Sequence, residues 1–146
     1  MSDEIHMAHA LRLAARGLGR TWPNPAVGCV IVKDGKVVSE AATAPGGRPH
    51  AEEQAVPAAG DRARGATAYV TMEPCGARSS GRVSCSHFLM DAGVSRVVVA
   101  AVDPVPGDAG AIHRTRTALR RLLTGLRLYD DGRFAFGSLA WTRVGV

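Results

Sequence analysis

Apolar residues recur at helical spacing near the start of the chain, at Ile5, Ala8, Leu11, Ala15 and Leu18. This spacing predicts a helix with one apolar face over residues 3–17. Ser2 or Asp3 is the expected N-cap, because serine and aspartate side chains accept hydrogen bonds from the first N–H groups of a helix. Gly17 and Gly19 mark the end of the helix.

Apolar runs separated by turn residues predict strands along the rest of the chain. Residues 27–32 and 37–38 flank Asp34-Gly35, a pair typical of a tight hairpin turn. Residues 97–102 are apolar throughout, which is typical of a strand buried on both faces. Further strands are predicted at 66–72 and 126–129.

Helix-forming segments alternate with these strands, at residues 50–59, 84–92 and 111–123. Pro57 is expected to kink or shorten the first of them, because proline lacks an N–H. The predicted order is α-β-β-α-β-α-β-α-β. The fold class is therefore α/β, a three-layer α/β/α sandwich with a mixed central sheet, in a single domain covering residues 1–146.

The composition excludes a disordered chain and a membrane protein. Of the 146 residues, 46% are hydrophobic and 21% are charged, and no apolar stretch is long enough to cross a bilayer. The N-terminus lacks the basic start and apolar run of a signal peptide, so the expected location is the cytoplasm. In that reducing compartment, the three cysteines are more often metal ligands or nucleophiles than disulfide partners.

The net charge of +5 comes from the C-terminal part of the chain. Residues 1–112 contain 11 basic and 11 acidic side chains, whereas residues 113–146 contain seven arginines against Asp130 and Asp131. A basic segment of this kind suits nucleic acid, a phosphate group or simple solubility. The charge by itself selects no function.

Histidine, glutamate and cysteine residues form the pattern with the clearest chemistry. His50-Ala51-Glu52 begins a predicted helix, Pro74-Cys75 follows a predicted strand, and Cys85 begins another predicted helix. One histidine and two cysteines give zinc three protein ligands and leave the fourth tetrahedral position for water. Glu52 can approach that water without binding the metal, because it lies in the first helical turn. The pattern predicts a catalytic zinc site.

These residues resemble the zinc site of the cytidine deaminase superfamily, whose pattern is H-x-E followed by P-C-x-x-C. Nine residues separate the two cysteines here instead of two, and the wider gap resembles the deaminase domain of the bifunctional riboflavin-biosynthesis deaminase/reductase family. The same resemblance is carried by residues 23–35, 68–75, 92–100 and 103–104. It spans about residues 4–132, and residues 133–146 are a divergent tail.

The resemblance implies a zinc-dependent hydrolytic deaminase with a cytidine deaminase-like fold. The ligands of Zn2+ would be His50, Cys75 and Cys85. Glu52 would be the general acid and base that moves protons from water to the substrate ring and to the departing ammonia. Asn24 and the Ala51 amide would contact the substrate, an aminopyrimidine nucleotide or related small metabolite. Relatives form dimers or tetramers, so a homo-oligomer is expected, whereas a membrane or a nucleic acid is not an expected partner.

Several positions depart from the riboflavin-type pattern. That family usually has one histidine seven residues before the zinc-binding histidine and another two residues after the first cysteine, and these positions are Thr43 and Ala77 here. The loop before Cys85 is one residue longer. Candidate contacts to the substrate or to a phosphate are Thr43, Arg78 and Arg82. We therefore expect the zinc chemistry of the family with altered substrate contacts.

Two other functions fit parts of the sequence. Residues 71–75 and the basic C-terminal part also suit a deaminase of tRNA, or one of cytosine or guanine, although the long gap before Cys85 argues against it. A non-catalytic subunit could keep zinc for stability alone. Such a site has no need of Glu52, a carboxylate that binds no metal.

Overall fold

The computed structural model of the protein describes residues 3–75 and 82–101, together with the backbone of three strands at 126–128, 134–136 and 139–143. The helices of these ranges are α1 (Asp3–Ala15), α2 (Ala51–Ala59) and α3 (Cys85–Asp91). The strands are β1 (Gly28–Lys33), β2 (Lys36–Ala42), β3 (Thr67–Met72), β4 (Arg96–Ala101), β5 (Leu126–Leu128), β6 (Phe134–Phe136) and β7 (Leu139–Arg143). None of the described helices is both long enough and apolar enough to cross a membrane.

Seven strands form one mixed sheet in the order β2-β1-β3-β4-β7-β6-β5. β1 is antiparallel to both β2 and β3, whereas β4 is parallel to both β3 and β7. β6 is antiparallel to β7, and β5 is antiparallel to β6 at the edge of the sheet. The prediction of a mixed central sheet is confirmed.

Alternate residues of the central strands face two different helical layers. On β1, Cys29 and Ile31 pack in a core with α2 and α3, whereas Val30 and Val32 pack in a core with α1. Such a strand has a continuous apolar sequence because neither of its faces meets water. The helices therefore lie in two layers on opposite sides of the sheet, which confirms the predicted α/β/α sandwich.

Helix α2 is not shortened by its proline, and strand β2 is longer than its sequence pattern predicts. α2 continues through Pro57 to Ala59 and then passes into a 3-10 turn, so Pro57 does not shorten it as expected. A proline near the end of a helix removes one hydrogen bond without preventing the last turn. β2 extends to Ala42, well beyond the predicted residues 37–38, because it pairs along the whole of β1.

The C-terminal part of the chain contributes more to the sheet than the sequence predicts. Residues 134–136 and 139–143 belong to the segment assigned to a divergent tail, and they form β6 and β7. β7 is inserted directly beside β4, and so it continues the parallel part of the sheet. The predicted helix at 111–123 lies outside the described residues.

α1 packs on β1 at a point where the two backbones nearly touch. A Cβ added at Gly28 would lie 1.9 Å from the carbonyl oxygen of Ala10 and 3.1 Å from the amide nitrogen of Ala14. The N–H of Gly28 also donates a hydrogen bond to Oγ1 of Thr71 on β3, at 3.1 Å. Gly28 therefore sets how closely the first helix approaches the sheet, because any side chain would push the helix away.

Asp3, in the first turn of α1, joins this helix to two strands. Its carboxylate accepts a hydrogen bond from the Tyr69 hydroxyl at 2.8 Å and is paired through both oxygens with the guanidinium of Arg96. The hydrogen bond from Arg96 is the main cause that lowers the pKa of Asp3 below its ordinary value. Burial, together with the bond to Asp3, raises the pKa of Tyr69 to about 12.

We expect Asp3→Asn to lower the free energy of unfolding near neutral pH by about 1.5 kcal/mol, because it removes hydrogen bonds to a charged group. A carboxyl whose pKa falls on folding stabilises the protein above its unfolded pKa, and this contribution is lost as the pH falls through the folded value. The variant should therefore lose less stability than the wild type below about pH 4. Urea unfolding across this range measures both effects, with exposed Asp61→Asn as the control; parallel pH curves for wild type and Asp3→Asn would contradict the prediction.

Candidate metal centre and active site

His50 stands at the N-cap of α2, where the loop after β2 enters the helix. Its backbone N–H donates to the Glu53 carboxylate at 2.7 Å, the bond expected of a capping box. The side-chain amide of Gln54 donates to the carbonyl oxygens of Ala42 and Pro49. These bonds join the loop to the first turn of α2, so the side chains of Glu53 and Gln54 fix the position of the His50 backbone.

The two candidate cysteine ligands come from separate segments that meet at the start of α3. Cys75 lies just beyond the end of β3, and Cys85 is the first residue of α3. The N–H of Cys85 donates to Sγ of Cys75 at 3.3 Å. Ser84 is the N-cap of α3, with its hydroxyl oxygen accepting the N–H of His87 and lying 2.7 Å from Nδ1 of His87. The cap starts the helix at the residue that presents the second sulfur.

The donor atoms of His50, Cys75 and Cys85 all lie within 4.8 Å of one another. Nδ1 of His50 is 3.4 Å from Sγ of Cys85. Zinc binds histidine nitrogen at about 2.0 Å and cysteine sulfur at about 2.3 Å, which places two tetrahedral ligands about 3.6 Å apart. One imidazole and two sulfurs are also ligand types that zinc prefers. The three side chains therefore fit a zinc ion and leave a fourth ligand position for a small molecule.

Glu52 lies in the first turn of α2 with only 3% of its surface exposed. Burial raises the pKa of its carboxyl to about 7, and the charge of Cys75 adds to the rise. His50 and Cys85 act on the same carboxyl in the opposite direction, so Glu52 interacts with all three candidate ligands. A carboxyl of this kind can take up and release a proton near neutral pH.

The two predicted substrate contacts, Ala51 and Asn24, lie on different elements. Ala51 is the first residue of α2 and is fully buried. Asn24 is half-buried, and its side-chain amide donates to the Gly47 carbonyl at 2.8 Å. A Cβ at Gly47 would lie 2.8 Å from that amide nitrogen, so the glycine lets Asn24 pack against the loop that leads to His50. A contact from Asn24 or Ala51 to the substrate stays a prediction.

Thr43 joins the ends of two strands through its hydroxyl and its backbone N–H. The residue is buried, and its side-chain oxygen accepts the N–H of Val27 at 2.9 Å. Its backbone N–H donates to the carbonyl of Val27, also at 2.9 Å. These bonds extend the pairing of β1 and β2 beyond the strand ends. A contact from Thr43 to the substrate or a phosphate stays a prediction, and in this structure its hydroxyl bonds with Val27.

A cavity of about 620 Å³ is lined by residues that lie close in sequence to three of the site residues, His50, Glu52 and Cys85. Its wall is formed by Arg48, Pro49, Glu53, Arg82, Val83 and Phe88. Pro49 directly precedes His50, and Arg82 lies three residues before Cys85. Of the two predicted arginine contacts, Arg82 lies in this wall, and Arg78 lies outside the described residues. Arg48 is not predicted by the sequence patterns, although its place two residues before His50 is a signal that could have found it.

Residues 1–101 match the family model for the cytidine and deoxycytidylate deaminase zinc-binding region. The chain therefore belongs to this family. Within it, the chain is similar to the riboflavin biosynthesis protein RibD of Escherichia coli (strain K12), with 46% identity over 147 aligned residues, covering 99% of this chain and 40% of that protein. It is also 42% identical to the diaminohydroxyphosphoribosylamino-pyrimidine deaminase of Buchnera aphidicola, over 75% of this chain and 74% of that protein.

Solved structures agree with these sequence similarities. RibD of Acinetobacter baumannii matches with a TM-score of 0.72 and 47% identity, over 80% of this chain and 33% of that one. A diaminohydroxyphosphoribosylaminopyrimidine deaminase/5-amino-6-(5-phosphoribosylamino)uracil reductase from Thermotoga maritima matches at 0.70 and 37%, over 79% and 34%. The predicted resemblance and the cytidine deaminase-like fold are confirmed. The chain spans 40% or less of the length of these RibD relatives.

We expect the purified protein to contain about one zinc ion per chain, since three ligands and one open position are typical of catalytic zinc. Cys75→Ser and Cys85→Ser should each remove most of this zinc, because a serine hydroxyl does not replace a thiolate ligand. Elemental analysis after dialysis measures the metal content. Cys29→Ala is the matched control, because Cys29 is fully buried in the core and burial raises the pKa of its thiol. Zinc retained in both serine variants would exclude these ligands.

Proposed function

We propose that this chain is a zinc-dependent hydrolytic deaminase that acts on an aminopyrimidine, in the manner of the riboflavin biosynthesis deaminases but with altered substrate contacts. The observation that carries the proposal is the buried carboxyl of Glu52 beside the convergent donor atoms of His50, Cys75 and Cys85. A zinc site that serves only stability needs four protein ligands and no further carboxyl. The arrangement therefore favours catalysis over a non-catalytic zinc-binding subunit.

The residues of the site can carry out each proton transfer that hydrolysis of an amine requires. His50, Cys75 and Cys85 would hold a zinc ion, and the Lewis acidity of zinc would make water nucleophilic near neutral pH. The Glu52 carboxylate takes one proton from water and delivers it to the ring nitrogen, and it then moves the proton of the new hydroxyl group to the departing amine. The bond from the ring carbon to the exocyclic nitrogen breaks and a bond to oxygen forms. One water is consumed, and the products are ammonia and a ring carbonyl.

The cavity beside the site supports a substrate that carries a phosphate. Arg48 and Arg82 contribute guanidinium groups to its wall, and these groups bind phosphate oxygens through paired, charge-assisted hydrogen bonds. Phe88 and Val83 add apolar surface to the same wall. The name of the Buchnera relative describes a deaminase of a phosphoribosylated pyrimidine. We propose the same class of substrate, an aminopyrimidine with a sugar phosphate, for this chain.

The altered substrate contacts are proposed from Thr43. Riboflavin-type deaminases usually have a histidine at this position, whereas the Thr43 hydroxyl accepts the N–H of Val27 in the interior. A threonine bound in this way does not make the contact that a histidine at this position would make to the substrate. Other groups, with Arg48 as the first candidate, must then share in holding the substrate.

A tRNA deaminase is the less supported alternative. A solved structure of a tRNA:A34 deaminase matches with a TM-score of 0.54 and 25% identity over 70% of this chain, below the values for the RibD structures. The greater likeness to RibD favours a small molecule. The single domain over 1–146, the homo-oligomer, the cytoplasmic location and the absence of a nucleic-acid partner stay predictions from the sequence.

We expect Glu52→Gln to reduce ammonia release from a phosphorylated diaminopyrimidine at least 100-fold, because glutamine cannot transfer the proton that the carboxyl transfers. The zinc content should stay that of the wild type, because Glu52 is not a ligand. Glu40→Gln is the control, since Glu40 pairs with His9 on the surface at 3.0 Å. Equal rates of ammonia release from wild type and Glu52→Gln would remove the proposed mechanism.

We expect Arg48→Ala and Arg82→Ala each to raise KM for the phosphorylated substrate about tenfold, the effect of losing roughly 1.4 kcal/mol of binding. The same variants should leave KM for the dephosphorylated analogue nearly unchanged, because the missing contact is to the phosphate. Steady-state kinetics with the two substrates measures the difference. Arg62→Ala is the control, because Arg62 bonds only to carbonyl groups of α2 in the described part of the chain. Equal increases in KM for both substrates would contradict a phosphate site.

A further inference from the structure

Ser86, the second residue of α3, is bound to the segment that carries the other cysteine. Only 1% of its surface is exposed. Its hydroxyl lies within donating distance of two carbonyl oxygens, 3.2 Å from that of Pro74 and 3.1 Å from that of Cys75. Its backbone N–H donates to the same Cys75 carbonyl at 3.1 Å. Ser86 thus holds the Cys75 segment through both its main chain and its side chain.

The Cys75 segment needs such a partner because it lies beyond the strand that precedes it. β3 ends at Met72, and the N–H of Glu73 makes a final bond to the carbonyl of Ala101 on β4. Pro74 is fully buried and has no N–H of its own. A buried carbonyl without a donor costs about 1–3 kcal/mol, so the hydroxyl of Ser86 is well placed to satisfy the carbonyls that follow the strand.

The hydrogen bonds of Ser86 and its neighbour link the two cysteine segments. The N–H of Cys85 donates to Sγ of Cys75 at 3.3 Å, so consecutive residues of α3 bind both the sulfur and the carbonyl of Cys75. Cys85 is the first residue of α3. The next residue, Ser86, binds the carbonyl of Cys75. These bonds therefore join the segment of Cys75 directly to the helix that begins with Cys85.

We propose that Ser86 is a positioning residue for the zinc centre, whose hydroxyl keeps the Cys75 sulfur at ligand distance from the Cys85 sulfur. The inference rests on the ligands assigned under the proposed function. Groups that orient metal ligands in this way typically change metal affinity by about 10- to 100-fold when they are removed. Ser86 is not among the candidate ligands or the residues that line the cavity, so its effect would pass through the two cysteines.

The test is the rate at which zinc leaves the loaded protein, trapped by an excess of a chromogenic chelator. This rate needs no folded metal-free state. Ser86→Ala should release zinc at least about tenfold faster than the wild type. Ser86→Thr keeps the hydroxyl and should return the rate to within about threefold of the wild type. Substitution of Co2+ gives a second reading, since the intensity of its visible bands reports tetrahedral coordination and should fall in Ser86→Ala only.

Ser95 offers a matched control at a distance from the site. Its hydroxyl lies 3.0 Å from the carbonyl oxygens of both Gly65 and Ala66, and its N–H donates to the Ala66 carbonyl at 2.9 Å. Ser95→Ala thus removes the same pair of hydrogen bonds from a loop that carries no candidate ligand. It should lower stability without changing the release of zinc.

Each outcome of this experiment has one meaning. Unchanged zinc release in Ser86→Ala, or equally fast release in Ser95→Ala, would overturn the positioning role while leaving the ligand assignment intact. A wild-type protein that binds no zinc, or that keeps its zinc when both cysteines are replaced, would overturn the ligand assignment itself. Fast release in Ser86→Ala together with recovery in Ser86→Thr would establish the role of the hydroxyl.

Discussion

The packing of α2 and α3 against one face of the sheet is the constraint on which the site depends. α2 approaches the sheet closely because the side chains that it buries are small, with Ala51 and Ala55 completely inaccessible to solvent. Leu89 anchors α3 in the same core. His50 and Glu52 lie at the beginning of α2, and Cys85 is the first residue of α3. Burial of these apolar residues therefore supplies the free energy that brings the polar groups of the site together.

The chemistry of the site also explains why it needs a metal. The buried Cys85 and Glu52 lie near the half-buried Cys75, and the charge of Cys75 already contributes to the raised pKa of Glu52. Gathering such groups away from water is unfavourable unless a cation compensates them. A divalent ion supplies that compensation and stabilises the thiolate form of its ligands. Metal binding and local order of the Cys75 and Cys85 segments are therefore coupled.

Much of this arrangement could be predicted from the sequence because it depends on local patterns. The two helical layers follow from apolar strands such as β1, which bury both faces, and the sequence motifs predict that His50, Cys75 and Cys85 come together. The role of Thr43 could not be predicted, since it depends on a hydrogen bond to Val27, 16 residues away in the chain. The role of Ser86 could not be predicted for the same reason, because its carbonyl partners, Pro74 and Cys75, lie in a segment that reaches it only in the folded state.

The bond between Asp3 and Arg96 has a consequence for the order in which the protein folds. These partners are 93 residues apart in sequence, and α1 packs on Tyr69 of β3 and Val98 of β4. Contacts across such separations form late, because closing a long loop costs entropy before any contact repays it. α2, in contrast, packs on β1 and β2, the strands that precede it. α1 can therefore begin to pack on β1, the strand that follows it, but its docking on the sheet is complete only once β4 has paired with β3.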